Sequence, residues 1–328
     1  MQTQIVYTLV SSENDYYLEE LWASLYSLRQ FHPTDRVLVL TDESTAPRIS
    51  ARKELEQMIS ELIVVTVPEH YSPKERSREI KTTVRNHIEG PYLFIDTDTV
   101  ICKPLDDIDH IEDDIAAVPD SHLPLSEHLF KESVYNTAKR VFGIDVSDSR
   151  YWFNSGVMYV ADNEHTRNFY REWNKNWQYS AFQKNYSQDQ SALVVTDKSF
   201  GYLIKPLPDI YNSQLALSLK YYADAAIVHY WHMDYISDQS YSPYFSLQIY
   251  KDMKAANGIT EEIAEQIVHC KSTLTSPSMP VGKNQILFLF SPAGKIFCDI
   301  YRDGGKASYL MLKCANWLNK LHKFLKKH

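Results

Sequence analysis

Pro91-Tyr92-Leu93-Phe94-Ile95-Asp96-Thr97-Asp98-Thr99-Val100 is an apolar run of strand-forming residues that carries two carboxylates to its end. Such a run reads as a buried strand, and the carboxyl edge of a parallel sheet is where an α/β protein places its ligand. Asp96 and Asp98 can face one cation if the chain turns out of the strand there, with Thr97 pointing away. Carboxylate oxygens suit hard ions such as Mg or Mn, whose remaining positions take phosphate oxygens. The plain alternative is a solvated strand end with two surface acids. An isolated Asp-x-Asp does not choose between these, so the neighbouring chain has to.

Upstream, Ile5 to Val10 reads as a buried strand, followed by the polar turn Ser11-Ser12-Glu13-Asn14-Asp15. Leu18, Leu21, Trp22, Leu25 and Leu28 then recur at helical spacing, with His32-Pro33 as the stop. Val37 to Thr41 is a second strand, Pro47 to Ser60 a charged helix, Leu62 to Val67 a third strand and Arg76 to Ile88 another helix. This alternation predicts a parallel sheet wrapped by helices. On the helix before the Asp-x-Asp strand, Arg78, Lys81 and Arg85 stand three and four residues apart and form a basic stripe. It suits either a diphosphate beside the metal or plain solvent.

Downstream, Ala116 to Pro119 reads as a short strand and Ser126 to Phe142 as a helical excursion. Tyr151 to Val160 is strand-like with an Asn154-Ser155-Gly156 break, which reads as a close backbone approach to a ligand or as a bulge. Asn163 to Trp177 is helical. Ser187 and Gln190 read as a capping box for the next helix, with Asp189 favoured in its first turn by the dipole. Leu203 to Pro208 and Ala225 to Tyr230 are further strands. The second runs into His229-Tyr230-Trp231-His232, where a histidine at a strand end is a candidate third metal ligand, His229 or His232.

The chain of 328 residues, 44% hydrophobic and 23% charged, is ordinary globular material. Its net charge of -8 argues against a general nucleic-acid binder. Four scattered cysteines suggest neither zinc nor a disulfide framework, and the N-terminus lacks the regions of a signal peptide, so a cytoplasmic protein is expected. Toward the C-terminus, Ile286 to Phe290 and Lys295 to Ile300 read as a hairpin around Ser291-Pro292-Ala293-Gly294, and Asp303-Gly304-Gly305 as a hinge. The segment 306–328 holds Lys306, Lys313, Lys320, Lys323, Lys326 and Lys327 and no acid, interleaved with Leu310, Trp317, Leu321 and Phe324. That pattern fits an amphipathic helix on an anionic membrane surface, and equally a terminal helix docked on its own domain.

Taken in order, Thr8-Leu9-Val10 with Tyr16 and Tyr17, Phe94-Ile95-Asp96-Thr97-Asp98, Phe153-Asn154-Ser155-Gly156-Val157, Asp189-Gln190, Leu207-Pro208 with Tyr211-Asn212, and Val228-His229-Tyr230 resemble the family 8 glycosyltransferases over about residues 4–235. The resemblance implies an α/β chain with the GT-A fold, a single Rossmann-like mixed sheet flanked by helices with a C-terminal helical appendage. It also implies a UDP-sugar donor and a Mn or Mg ion. It makes Asp96, Asp98 and His229 metal ligands, and puts the nucleotide near Leu9, Ser11 and Tyr17. Arg78, Lys81, Thr97 and Ser155 then lie around the diphosphate and donor, with Asn154, Asp189 and Gln190 at the donor sugar. The family continues from its histidine into a Gly and a Lys-Pro-Trp segment, whereas this chain reads Tyr230-Trp231-His232-Met233. The expected organisation is a transferase domain over 1–238, an acceptor-side extension over 239–305 and the basic tail, acting with retention on a glycan or glycolipid in bacterial surface polysaccharide synthesis. Two other readings share the residues: a haloacid-dehalogenase-like phosphatase using Asp96 and Asp98, and an inactive sugar-nucleotide binder.

Overall fold

The computed structural model describes residues 1–215, 219–230, 247–271, 288–289, 291–303 and 305–325. The chain divides into two compact units, Met1–Pro277 and Ser278–His328. In chain order the described strands are β1 Gln4–Leu9, β2 Val37–Thr41, β3 Glu61–Val64, β4 Tyr92–Ile95, β5 Thr99–Ile101, β6 Ile115–Pro119, β7 Phe153–Val160, β8 Ile204–Pro206, β9 Ser213–Gln214 and β10 Ile227–His229. Seven form one sheet in the order β3-β2-β1-β4-β7-β6-β8. Strands β1 to β4 run parallel where they pair, and β7 enters antiparallel to both β4 and β6. The mixed sheet expected from the sequence is therefore present. A second sheet, β5-β10-β9, was not expected, and it takes the predicted Ala225–Tyr230 strand away from the main sheet.

Both faces of the main sheet are covered, which is why its strands are apolar without alternation. Ile5, Tyr7, Leu9, Val37, Val39, Leu93 and Ile95 face one cluster with Leu18, Leu21 and Trp22 of helix α1, Tyr17–Phe31. Val6, Leu38, Leu40, Tyr92 and Phe94 face another. The remaining helices of this unit are α2 Ala46–Ser50, α3 Lys53–Gln57, α4 Pro73–Thr83, α5 Lys131–Thr137, α6 Glu164–Gln178, α7 Asp189–Ser199, α8 Leu247–Ala256 and α9 Glu261–Val268. Phe169, Tyr170, Trp173 and Trp177 of α6 fill the second cluster. Tyr250, Met253, Ile263 and Ile267 of α8 and α9 join the first.

Several boundaries differ from the sequence reading. The charged helix of 47–60 is two short helices, α2 and α3, broken where Arg52 leaves helical geometry (φ -106°, ψ 84°). Helix α4 starts at a capping box of Ser72 and Glu75 with Pro73 in the first turn, earlier than Arg76, and ends at Thr83. Strand β7 continues through Asn154-Ser155-Gly156, but its register against β6 shifts there, between Met158 opposite Ala117 and Phe153 opposite Pro119, which is the bulge reading of that stretch. Ser187 does not cap α7; Gln188 is its N-cap, without a side-chain bond, and Gln190 reaches elsewhere.

In the second unit the predicted hairpin arm Lys295–Ile300 is helical, within α10, Pro292–Asp303. The Ser291 hydroxyl accepts from Gly294 N–H at 2.9 Å and Pro292 opens the helix, so this Ser-Pro pair is a helix start rather than a turn. Residues 286, 287 and 290 of the other arm lie outside the described residues. After the break at Asp303, α11 spans Gly305–Leu325, and the positive φ of Gly305 (75°) suits a residue without a side chain.

Candidate active site

Strand β4 ends at Ile95 and the chain does turn out of the sheet. Asp96 N–H donates to the Gly156 carbonyl at 2.7 Å, Thr97 and Asp98 form a bend, and Thr99 Oγ1 donates to the Asp96 carbonyl at 2.9 Å. Helix α1 holds the strand that follows, Ser27 Oγ accepting from Ile101 N–H at 2.9 Å and Ser24 meeting Thr99 at 2.9 Å. Strand β10 pairs antiparallel with β5, Thr99 opposite His229. That register places the imidazole beside the acids. Among the described residues, Asp96, Asp98 and His229 offer ligand atoms that all lie within 4.8 Å of one another.

The group fits a divalent cation. It has two carboxylates and one imidazole, all of them metal-ligating groups. The backbone is also cut away for it: a Cβ on Gly156 would lie 2.4 Å from His229 Cε1 and 3.0 Å from Asp96 Oδ2. The glycine therefore serves a close approach, but of the site's own side chains. His229 Nε2 lies 3.1 Å from Asp98 Oδ1, and its Nδ1 lies 2.9 Å from Asn212 Oδ1. Burial lowers the His229 pKa, yet the neighbouring Asp98 outweighs it and holds the imidazole above its ordinary value. His232 lies outside the described residues.

Two cations from α4 meet this cluster. Lys81 Nζ, buried, donates to both oxygens of Asp96 at 2.9 and 3.0 Å and lies 3.9 Å from Asp189 Oδ2. Arg78 Nε pairs with Asp189 Oδ1 at 2.9 Å, and Asp189 first, then Asp96, Tyr17 and Asp98, hold its guanidinium charged beyond its usual range. Arg85, the third member of the predicted stripe, is not there. Helix α4 has already given way to a tight turn over Val84–Asn86, and Arg85 is fully buried, donating to the Gly90 carbonyl at 2.9 Å and lying over the Tyr92 ring.

Asp189 opens α7, where its charge complements the helix dipole. The indoles of Trp173 and Trp177 fix that end by donating to the Asp189 and Ser187 carbonyls at 3.1 and 3.2 Å. Burial raises the Asp189 pKa, but Arg78 and Lys81, together with the Ser155 hydroxyl at 3.2 Å, hold it below the ordinary carboxylate range. It is a buried carboxylate held in its ionised form.

Asn154 and Gln190 meet at a residue the sequence did not single out, Asp120. Its Oδ2 accepts from Gln190 Nε2 at 3.0 Å and from Asn154 Nδ2 at 3.3 Å. Its Oδ1 faces Ser121 Oγ at 2.9 Å and His128 Nε2 at 3.0 Å. Burial raises its pKa, and the His128 hydrogen bond leads the groups that bring it below the ordinary value. Ser121 and His122 follow with positive φ (57° and 58°), a strained pair at the end of β6. That pair of positive φ values has no sequence signature, since neither position is glycine.

The turn after β1 shares the sheet edge with β4. Leu9 has its side chain in the core and its carbonyl taken by Thr41 Oγ1 at 2.7 Å, so no free side chain is left there for a ligand. Ser11 is held by Thr45 and Asp15, at 3.0 and 2.7 Å, and Tyr17 begins α1 with its N–H on Asp15. Lys254 of α8 donates to the Asp15 carbonyl at 3.0 Å and lies over the Tyr16 ring, pinning the turn from outside.

No protein-family model and no curated protein matches the chain. Among solved structures it is similar to WbbM, a bifunctional glycosyltransferase in its apo form, at 15% identity and a TM-score of 0.53, covering 80% of this chain and 51% of that one. The fold is that of the GT-A glycosyltransferases. The chain spans about half the length of WbbM. Mouse xyloside xylosyltransferase 1 is similar at 12% identity and a TM-score of 0.48, covering 70% of this chain and 98% of that one. GlyE of Streptococcus pneumoniae TIGR4 is similar at 16% and 0.47, covering 85% and 67%.

Proposed function

We propose that the chain is a metal-dependent glycosyltransferase that moves a hexose from a UDP-sugar to a glycan or glycolipid acceptor with retention, as a family 8 enzyme of bacterial surface polysaccharide synthesis. The observation that carries this reading is the joining of Asp96, Asp98 and His229 to a third carboxylate, Asp189, through Lys81 at one sheet edge. Breaking an anomeric bond builds positive charge on the sugar and negative charge on the leaving diphosphate. A cation held by Asp96, Asp98 and His229 supplies charge for the diphosphate. Lys81, buried, and Arg78, half-buried, already lie against carboxylates and add fixed positive charge. Asp189 stays ionised in that surrounding and suits the developing charge on the sugar, with Asn154, Gln190 and Ser155 holding its hydroxyls. Ser11 and Tyr17 suit the nucleotide, and Thr97 the donor beside the metal. The phosphatase reading of Asp96 and Asp98 has no support in this fold.

Residues 1–238 make up the transferase domain in this reading, 239–305 the acceptor side and 306–328 the attachment to an anionic membrane. Among the described residues no helix is long and apolar enough to cross a membrane. On α11, Leu310, Trp317, Leu318 and Leu325 recur at helical spacing and are all more than half exposed, beside Lys306, Lys313 and Lys320. Near anionic lipid each Lys contributes about 1 kcal/mol, within a Debye length of roughly 8 Å.

The test is a panel of UDP-sugars with Mn2+, read by released UDP and by the anomeric configuration of the product. Turnover that persists in chelator, or an inverted product, refutes the proposal. Co-sedimentation with anionic vesicles, lost as salt rises and lost on truncation at Gly305, checks the attachment; a chain that ignores such vesicles excludes it.

A further inference from the structure

The metal group is tied to Asp120 by a chain of hydrogen bonds whose direction is forced. Asp120, ionised, only accepts, so Asn154 must turn its amide nitrogen toward it, at 3.3 Å. Gly156 N–H only donates, and it meets Asn154 Oδ1 at 2.9 Å, fixing the same orientation from the other end. Asn154 Oδ1 also takes Asn212 Nδ2 at 3.0 Å, which turns Asn212 so that its oxygen faces His229 Nδ1 at 2.9 Å. An amide oxygen can only accept. His229 therefore carries a proton on Nδ1, and Nε2 is the nitrogen directed at Asp98 and the cation position.

Asn212 is fully buried, on the turn before β9, and Val228 and His229 pair with Ser213 and Gln214 immediately after it. Strand pairing thus fixes the spacing between Asn212 and the imidazole. Nothing in the apolar packing requires an amide at this position.

We propose that Asn212 is a positioning residue of the metal centre: it accepts from Nδ1–H of His229 and so aims Nε2 at the cation, its own orientation being set by the relay from Asp120 through Asn154. This rests on the metal reading above. A metal-bound imidazole whose other nitrogen is so fixed loses about 10–100-fold in metal affinity when the outer partner is removed.

The experiment is a titration of the metal-free full-length chain with Mn2+ alone, followed by the electron paramagnetic resonance of the free ion. Asn212→Leu keeps the volume and removes the acceptor, and it should lower affinity about 10–100-fold. Asn212→Asp in its protonated form accepts from His229 and donates to Asn154, so it should bind nearly as the wild type does. In a His229→Ala background, Asn212→Leu should have no further effect, because the residue it positions is gone. Equal affinity of Asn212→Leu and wild type, additive losses in the double variant, or loss in Asn212→Asp as deep as in His229→Ala, each overturns the relay while leaving the metal site standing. Wild-type protein that takes up no Mn2+ refutes the metal reading itself.

Discussion

Gly156→Ala probes the site with a single methyl group. Gly156 lies inside a strand at ordinary backbone angles, where alanine alone would gain about 0.5–1 kcal/mol by restricting the unfolded chain. The new Cβ, however, falls 2.4 Å from His229 Cε1, where ordinary contact begins at 3.4 Å. The imidazole must retreat by about 1 Å, and it has little room, because strand pairing on both sides and the Asn212 bond hold it. Overpacking of this kind costs about 1–3 kcal/mol, so net stability should fall by up to about 2 kcal/mol. The larger effect belongs to the site, where a misplacement near 1 Å costs about 10²-fold. The assays are urea unfolding, Mn2+ titration and UDP release. In a His229→Ala background the closest clash disappears, leaving Asn154 Oδ1 at 2.9 Å and Asp96 Oδ2 at 3.0 Å, so the cost of the added methyl should fall. A Gly156→Ala protein with wild-type Mn2+ affinity and turnover would show that His229 does not need its observed position.

Asp98→Asn and Asp96→Asn should both abolish Mn2+-dependent transfer, but Asp96→Asn should also destabilise the fold, by about 1–3 kcal/mol, because it strips buried Lys81 of its closest counter-charge; equal unfolding midpoints for the two variants would contradict this. Asp189→Asn should lower the rate of sugar transfer far more than UDP affinity, measured by steady-state kinetics and UDP titration, and matched losses would remove it from the donor sugar. Asp197, near the end of α7, has its carboxyl pushed up to about 6 by burial, against the Ile204 N–H at 2.9 Å, the Lys205 charge and the Leu203 N–H. A raised pKa favours the protonated form, so its contribution is whole below about pH 3.8 and lost as pH rises through 6. The penalty at pH 8 is of order 3 kcal/mol, and Asp197→Asn should relieve much of it at pH 8 and little at pH 4, a difference read by urea unfolding at the two pH values.

What could be read from the sequence was local. The strands of the main sheet announce themselves because both faces are buried, and the two acids of Asp96-Thr97-Asp98 end such a run wherever the strand lies. Arg78 and Arg85 show the limit. Helical spacing puts them on one face only while the helix lasts, and α4 stops at Thr83, so Arg85 turns inward to cap carbonyls. Asp120 was passed over, and Asn212 was named within a motif but given no role, for another reason. A buried acid and a buried amide look like any turn residues until their partners, 34 and 58 positions away, are known.

The placing of His229 beside the acids turns on register, which no spacing rule supplies. Strand β10 is three residues long, too short for its pattern to specify a partner, yet its pairing with β5 sets Thr99 against His229, Val100 against Val228 and Ile101 against Ile227. Tyr230 N–H on the Asp98 carbonyl at 2.9 Å closes the same ladder. Slipping that pairing by one residue would turn His229 to the opposite face and bring Val228 or Tyr230 beside Asp98. The apolar neighbours oppose the slip, since Ile227 and Val228 are both fully buried and would have to exchange environments. The hydrophobic packing of a three-residue strand thus helps to bring His229 beside Asp98.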